Sequence, residues 1–150
     1  MHEVSIFIES TWRGPARRDG VAMWLVECKR GERLDTRQGF VHVKEGTETQ
    51  GNLMAMINAF HILKKPCRVL VFTKCSHILI SMQQEWPKEW QESGWIGAKG
   101  KPVKNAELWK MLIEKGKRHT YTIKDDHHEY ENVMQSDLRK ELESWKNTEP

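Results

Sequence analysis

The sequence predicts an α/β domain built on a mixed five-stranded sheet, three antiparallel strands first and two more after them, flanked by helices. Three observations predict it. Apolar, β-branched runs at 4–8, 21–28 (VAMWLVEC) and 39–43 (GFVHV) follow one another early in the chain. Leu53, Met56, Ile57, Phe60 and Leu63 then recur at helical spacing over 50–65. Beyond them the pattern turns to strand, helix, helix, strand, helix, which is how an α/β crossover reads.

Turn signals at Gly14-Pro15 and Asp19-Gly20 make the first two strands a hairpin. The third strand, 39–43, alternates apolar and polar residues and runs into the polar stretch 44–50. Lys64-Lys65-Pro66 ends the first helix with cations at its C-terminus. The run 68–73 (RVLVFT) lacks clean alternation and is expected to be buried on both faces. A helix over 76–86 stops at Pro87. Residues 94–103 (GWIGAKGKPV) form a glycine-rich basic loop, after which Asn105 caps a helix carrying Leu108, Met111 and Leu112 up to Gly116. The fifth strand falls at 119–123. Tyr130, Met134, Leu138, Leu142 and Trp145 then mark an amphipathic last helix, followed by a polar tail at about 147–150. Neither an internal repeat nor an interdomain linker interrupts 1–150, so one domain is expected.

The totals exclude several classes. With 150 residues, 38% hydrophobic and 30% charged, the chain has ordinary globular usage rather than that of a disordered segment. Its net charge of +3 permits a polyanionic partner without requiring one. No apolar run approaches the roughly 18 residues that span a bilayer, and the start MHEVSIFIES lacks the features of a signal peptide. No membrane association and a cytoplasmic location are expected. Cys28, Cys67 and Cys75 lack paired spacing, which points to free thiols rather than a disulfide or structural zinc.

Three stretches carry a family resemblance. They are GNLMAMINAFHILKK (51–65), CRVLVFTKCSHI (67–78) and EWPKEWQESGWIGAKGKPVKNAELWKML (85–112). With the opening VSIFIEST (4–11), they resemble the bacterial type I ribonuclease H family over nearly the whole chain: its first strand and turn, first helix, fourth strand, and tryptophan-rich helix with basic protrusion. The resemblance implies a ribonuclease H-like fold. It also implies hydrolysis of the RNA strand of an RNA·DNA hybrid by two divalent ions held on four carboxylates.

Carried over by position, those carboxylates fall on Glu9, Asn52, Lys74 and, at the last helix, Asp137 or its neighbour Ser136. Glu9 keeps its charge, Asn52 is neutral and Lys74 reverses it. Two Mg²⁺ need hard oxygen ligands and about four negative charges. A cation at ~4 Å and an effective dielectric of ~20 costs about 4 kcal/mol per unit charge, doubled for a divalent ion. No metal is therefore expected; Glu9 and Asp137 are the ligands if any is held. Lys74 is expected instead to pair with Glu9. Glu45 and Glu48 before the first helix, and the Asp125-Asp126-His127-His128 cluster, are the conceivable rescues, although both read more simply as solvated or turn residues.

The family's phosphate pocket falls on Thr47, Gln50 and Asn105, where Gln50 replaces an arginine, and its 2′-hydroxyl contacts fall on Glu48 and Thr49. Lys99, Lys101 and Lys104, with Trp90 and Trp95, are the protrusion's candidates for following a phosphate backbone and stacking. Trp86 and Trp109 read as packing, and Arg13, Arg17 and Arg18 as a basic hairpin loop. The favoured reading is a catalytically degenerate ribonuclease H-like protein that binds duplex or RNA·DNA hybrid. One alternative is an active nuclease using Mg²⁺ or Mn²⁺ with altered ligands. The other is a protein-interaction module with a protein partner in the old cleft.

Overall fold

Alternation along the first strand decides what each side of the sheet carries. In the computed structural model, which describes residues 2–148, Val4, Ile6 and Ile8 of β1 (His2–Ser10) join one core cluster. Phe7 joins another on the opposite face. The first cluster is closed by α1 (Glu48–His61) through Leu53, Met56, Ile57 and Phe60. The second is closed by α5 (Glu131–Thr148) through Met134 and Leu138, which meet Val21, Met23 and Leu25 of β2 (Arg18–Arg30). Burying such side chains contributes roughly 1.5–3 kcal/mol each, so both helices are fixed by their apolar stripes.

The sheet is mixed and five-stranded, in the order β3-β2-β1-β4-β5. β1 pairs antiparallel with β2, and β2 with β3 (Arg33–Gly46). β4 (Cys67–Phe72) lies parallel to β1, and β5 (Thr120–Lys124) parallel to β4. The parallel pair places the C-terminal ends of β1 and β4 side by side. Between β4 and β5 come α2 (Ser76–Gln83), α3 (Trp86–Glu92) and α4 (Ala106–Gly116). No helix among the described residues is long and apolar enough to cross a membrane.

Several local expectations are corrected. The helix expected over 76–86 ends at Gln83. Glu85 then takes a left-handed conformation (φ 55°), and Pro87 sits in the first turn of α3, where its missing N–H costs nothing. β3 begins at Arg33 rather than at residue 39, because β2 and β3 continue as a long hairpin up to the Arg30–Arg33 pair. β4 is not buried on both faces: Val69 and Val71 are buried, Leu70 and Phe72 half-buried and Arg68 exposed, since α5 packs over β1 and β2. Asn105 precedes α4 with φ 60° and makes no side-chain cap bond. Residues 147–148 of the expected tail are helical, and 149–150 lie outside the described residues.

The Asp19-Gly20 turn signal is also displaced, since both residues belong to β2. The cause is tertiary. Trp12 is fully buried just after β1, and its Nε1–H is shared between the carbonyls of Arg18 (3.1 Å) and Gly46 (3.0 Å). Its ring lies over Gly20 of β2 and Gly51 of α1, where a Cβ at either would come to 2.3 Å from the indole. The absent side chains make the slot that the tryptophan fills.

Candidate functional site

Because side chains alternate along β1, Glu9 shares Phe7's face and points toward α5, and it is buried to 5% exposure. A carboxylate so desolvated needs partners. Gln135 Nε2 donates to its Oε1 at 2.7 Å. Lys74 Nζ and His128 Nε2 both lie 2.8 Å from Oε2. Burial pushes the Glu9 carboxyl up, but these three donors outweigh it and hold it below the ordinary carboxylate range.

Lys74 follows β4 and is set between two acids: Glu9, and Glu131 Oε1 at 2.5 Å. Burial would lower its pKa, and the bonds to Glu131 and Glu9 raise it, so the ammonium stays charged. Lys74, together with His127 Nδ1 at 2.8 Å, brings the Glu131 carboxyl down to about 2.

His128 is packed against Phe7 and Phe72, with ring centroids 4.6 and 5.9 Å away. Its Nδ1 accepts the backbone N–H of Tyr130 at 3.2 Å, which places the ring proton on Nε2, where it donates to Glu9. Tyr130, beside it, donates to Glu27, a bond that pushes the phenol up to about 12.

On the α1 side, Asn52 is buried to 3% and its amide is consumed locally. Nδ2 donates to the Glu48 carbonyl (2.8 Å) and Ser10 Oγ (3.4 Å), and Oδ1 accepts from Thr73 Oγ1 (2.9 Å). Glu48, Asn52, Glu9, Lys74, Glu131 and Gln135 line one hollow of about 490 Å³, together with Arg13 and Cys75. Burial raises the Glu48 carboxyl, against the pull of Arg13. Arg13 in turn donates to the Ser10 carbonyl (2.6 Å) and to Gln135 Oε1 (2.7 Å).

The structure thus brings Glu9, Asn52 and Lys74 to one cleft, with Lys74 paired to Glu9 as the sequence led us to expect. Asp137 is not among the residues lining it. At 100° per residue it lies about 200° around α5 from Gln135, and Gln135 reaches Glu9 instead. Of the conceivable rescues, Glu48 lines the cleft. Glu45 is exposed, its backbone N–H held by Asp19. His127 and His128 face Glu131 and Glu9, while Asp125 and Asp126 are exposed.

Sequence reasoning missed Glu131 and Gln135, and offered His128 only within the 125–128 cluster. The available signal was the helix phase: with Met134 and Leu138 in the core, 131 and 135 share one edge of that face.

Thr47 Oγ1 caps α1 by accepting from Gln50 N (3.2 Å). Lys115 meets His61 where α4 and α1 both end, so the two helices run the same way and Asn105 lies at the same end as Thr47 and Gln50. The protrusion is a small hairpin closed by the Ile96–Pro102 bridge and turned at Gly100 (φ 75°), with Lys99, Lys101 and Lys104 exposed on it. Trp90 and Trp95 are half-buried against the core. Trp90 contacts Trp86, Trp95 and the fully buried Trp109, so these rings hold the protrusion on the domain. The three cysteines are free.

A mixed sheet with a polar cleft where β1 and β4 end side by side defines the class: a ribonuclease H-like α/β protein. The RNase H family model matches residues 3–142, and the chain belongs to the RNase H family. It is 34% identical over 119 residues to the Ribonuclease H of Novosphingobium aromaticivorans, covering 79% of each chain. It is 37% identical over 100 residues to that of Bordetella pertussis, covering 67% of this chain and 63% of the relative.

Among solved structures it is similar to LC9-RNase H1, a type 1 RNase H with the type 2 active-site motif. The TM-score there is 0.69 at 21% identity, covering 84% of this chain and 63% of the other. The foamy viral protease-reverse transcriptase in complex with dsDNA gives a TM-score of 0.62 at 16% identity, covering 91% and 90%. These two likenesses are of fold. The chain therefore spans a little under two thirds of the Bordetella relative and of LC9-RNase H1.

Proposed function

We propose that this chain is a nucleic-acid-binding member of the RNase H family whose cleft does not cleave, and that it takes duplex or RNA·DNA hybrid along its protrusion. The observation that carries the reading is Lys74, set between Glu9 and Glu131. The donors around it do not suit two divalent ions. Both oxygens of Glu9 already accept hydrogen bonds, the Asn52 oxygen is taken by Thr73, and on the last helix Gln135 is an amide while Glu131 is already held by Lys74 and His127. Three carboxylates stand against two fixed cations, which leaves about one net negative charge where two Mg²⁺ bring four positive ones. Binding is supported by the exposed Lys99, Lys101 and Lys104 and by the foamy viral relative, which was solved on dsDNA.

A second reading, an active Mg²⁺- or Mn²⁺-dependent nuclease, is favoured by one observation. The Lys74 side chain is 38% exposed, and if it swings outward, Glu9, Glu48 and Glu131 all remain in the cleft. Incubating the purified chain with labelled hybrid, duplex and single strands, with each metal, separates the two. Retention without cutting supports the first; cutting that Glu9→Gln abolishes overturns it.

A further inference from the structure

β5 is one edge of the sheet, and among the described residues it pairs only with β4. Sheet edges are ordinarily blunted by charges, prolines or bulges. β5 reads Thr-Tyr-Thr-Ile-Lys, so its single charge, Lys124, comes at the last position, and the rest favours extended pairing. The Lys124 carbonyl accepts the Thr73 N–H at 2.9 Å, which turns the backbone groups of Lys124 toward β4. Those of Ile123 and Tyr121 therefore alternate with it, Ile123 and Tyr121 presenting theirs to the free edge. Their side chains, with Leu79 and Met82 of α2, line a largely apolar groove of about 240 Å³ beside the strand.

The flanks of this edge carry opposite charge. Lys117 and Arg118 lead into the strand, Asp125 and Asp126 lead out of it, and all four are exposed. Arg118 donates to the Lys64 carbonyl, and among the described residues none of the four joins an ion pair. Such a strand is complementary to itself only when the second one runs the other way.

We propose that β5 pairs antiparallel with β5 of a second copy of this chain, about a two-fold axis through Thr122. Tyr121 then falls opposite Ile123 of the second copy, and the outward-facing groups of the two exchange both backbone hydrogen bonds, as the reciprocal pair does. Asp126 falls opposite Arg118 of the second copy, with Asp125 and Lys117 close by. Centring the pair on Tyr121 would set Lys124 against Arg118, and centring it on Ile123 would set the two acids against Tyr121 and Thr120. Charge therefore selects the Thr122 register. The axis stands perpendicular to the sheet, so both copies present α1 and the tryptophan-held protrusion on the same side of one continuous sheet. Residues 125–128 then serve two surfaces: the aspartates meet the second copy, while His127 and His128 reach Glu131 and Glu9. The pairing is independent of what the cleft does.

The test is sedimentation equilibrium of the full chain. A short edge pairing makes a weak dimer, so the average mass is expected to be that of one chain at about 1 µM and to approach that of two by about 500 µM. Rising salt weakens the association. D125K/D126K and K117D/R118D each stay monomeric over that range, whereas an equimolar mixture of the two variants forms a heterodimer, a result that a folding defect in either cannot produce. Cysteine substitution reads the register. The Cα atoms of a non-hydrogen-bonded antiparallel pair stand about 4.5 Å apart, within disulfide reach, so T122C links two chains under mild oxidation. T120C, which faces Lys124 of the second copy, links about fivefold less or not at all, with the unmodified chain and its three thiols as the baseline. A one-chain mass throughout, a mixture that stays monomeric, a dimer that both charge reversals leave intact, or equal linking through T120C and T122C would each overturn the proposal.

Discussion

Lys74 Nζ lies 2.8 Å from Glu9 Oε2, so an ammonium occupies the space beside the carboxylate at the end of β1. The two are unequal partners. Glu9 is the buried one, with side-chain exposures of 4% against 38% for Lys74. Glu9→Gln strips the charge that three donors share and is expected to cost about 1–3 kcal/mol in urea unfolding. Lys74→Met leaves Glu9 bonded to His128 and Gln135, and costs less. The reverse order would show that the lysine, not the acid, organises the cleft.

Restoring one acid does not restore a metal site. Lys74→Asp alone is expected to give no hybrid cleavage, because positions 52 and 135 still present amides, which offer no carboxylate ligand whatever the net charge of the cleft. Asn52→Glu, Lys74→Asp and Gln135→Asp together bring the cleft's acids to six with Glu9, Glu48 and Glu131, and Mn²⁺ then raises the Tm of the triple variant. Turnover by the single variant, or no Mn²⁺ shift in the triple, contradicts the ligand count.

The acid side of the stability profile follows from Glu131. Its carboxyl is held at about 2 in the fold against 4.5 when free. A lowered folded value means that its contribution is complete above 4.5 and drains away as the pH falls toward 2. Glu131→Gln is expected to flatten the loss of stability across that window, measured as urea midpoints at stepped pH. An unchanged slope would assign the acid sensitivity to other carboxylates.

The slot around Trp12 is testable by adding single methyl groups. Gly51→Ala and Gly20→Ala each drive a Cβ into the indole and are expected to cost about 1–3 kcal/mol. Trp12→Ala, which empties the slot, costs about 3–5 kcal/mol. Combining Gly51→Ala with Trp12→Phe is expected to cost less than the two single changes added together, the sign of a shared space.

On the protrusion, changing Lys99, Lys101 and Lys104 to alanine is expected to weaken duplex or hybrid binding and to lower the salt slope by about 0.7–0.9 for each phosphate contact removed. An unaltered slope would place the nucleic acid elsewhere.

Much of this was legible in the sequence because it rests on patterning. The strands stand out as apolar, β-branched runs and α1 and α5 by their apolar period, and Glu9, Asn52 and Lys74 follow from matched segments that contain no gap. What was not legible depends on distant partners. Gly20 reads as a turn until Trp12 is seen lying over it. Pro87 reads as a stop, although a proline suits the first turn of a helix equally well. At the last helix the eye goes to Asp137 for its charge, whereas the burial of Met134 and Leu138 sets the phase that turns Gln135 inward. His127 and His128 look like part of a polar turn because Glu9, the partner of His128, is 119 positions away.

That separation bears on the order in which the molecule is made. The five strands of the described residues lie within the first 124 positions, whereas the bonds that gather around Glu9 wait for residues 128 and 135, which a growing chain supplies after the sheet. Until α5 docks, Glu9 stands without His128 and Gln135, and Lys74 without Glu131. A nascent chain therefore carries a cleft whose charges are still open to solvent, and it seals that cleft only when α5 has been made and docks.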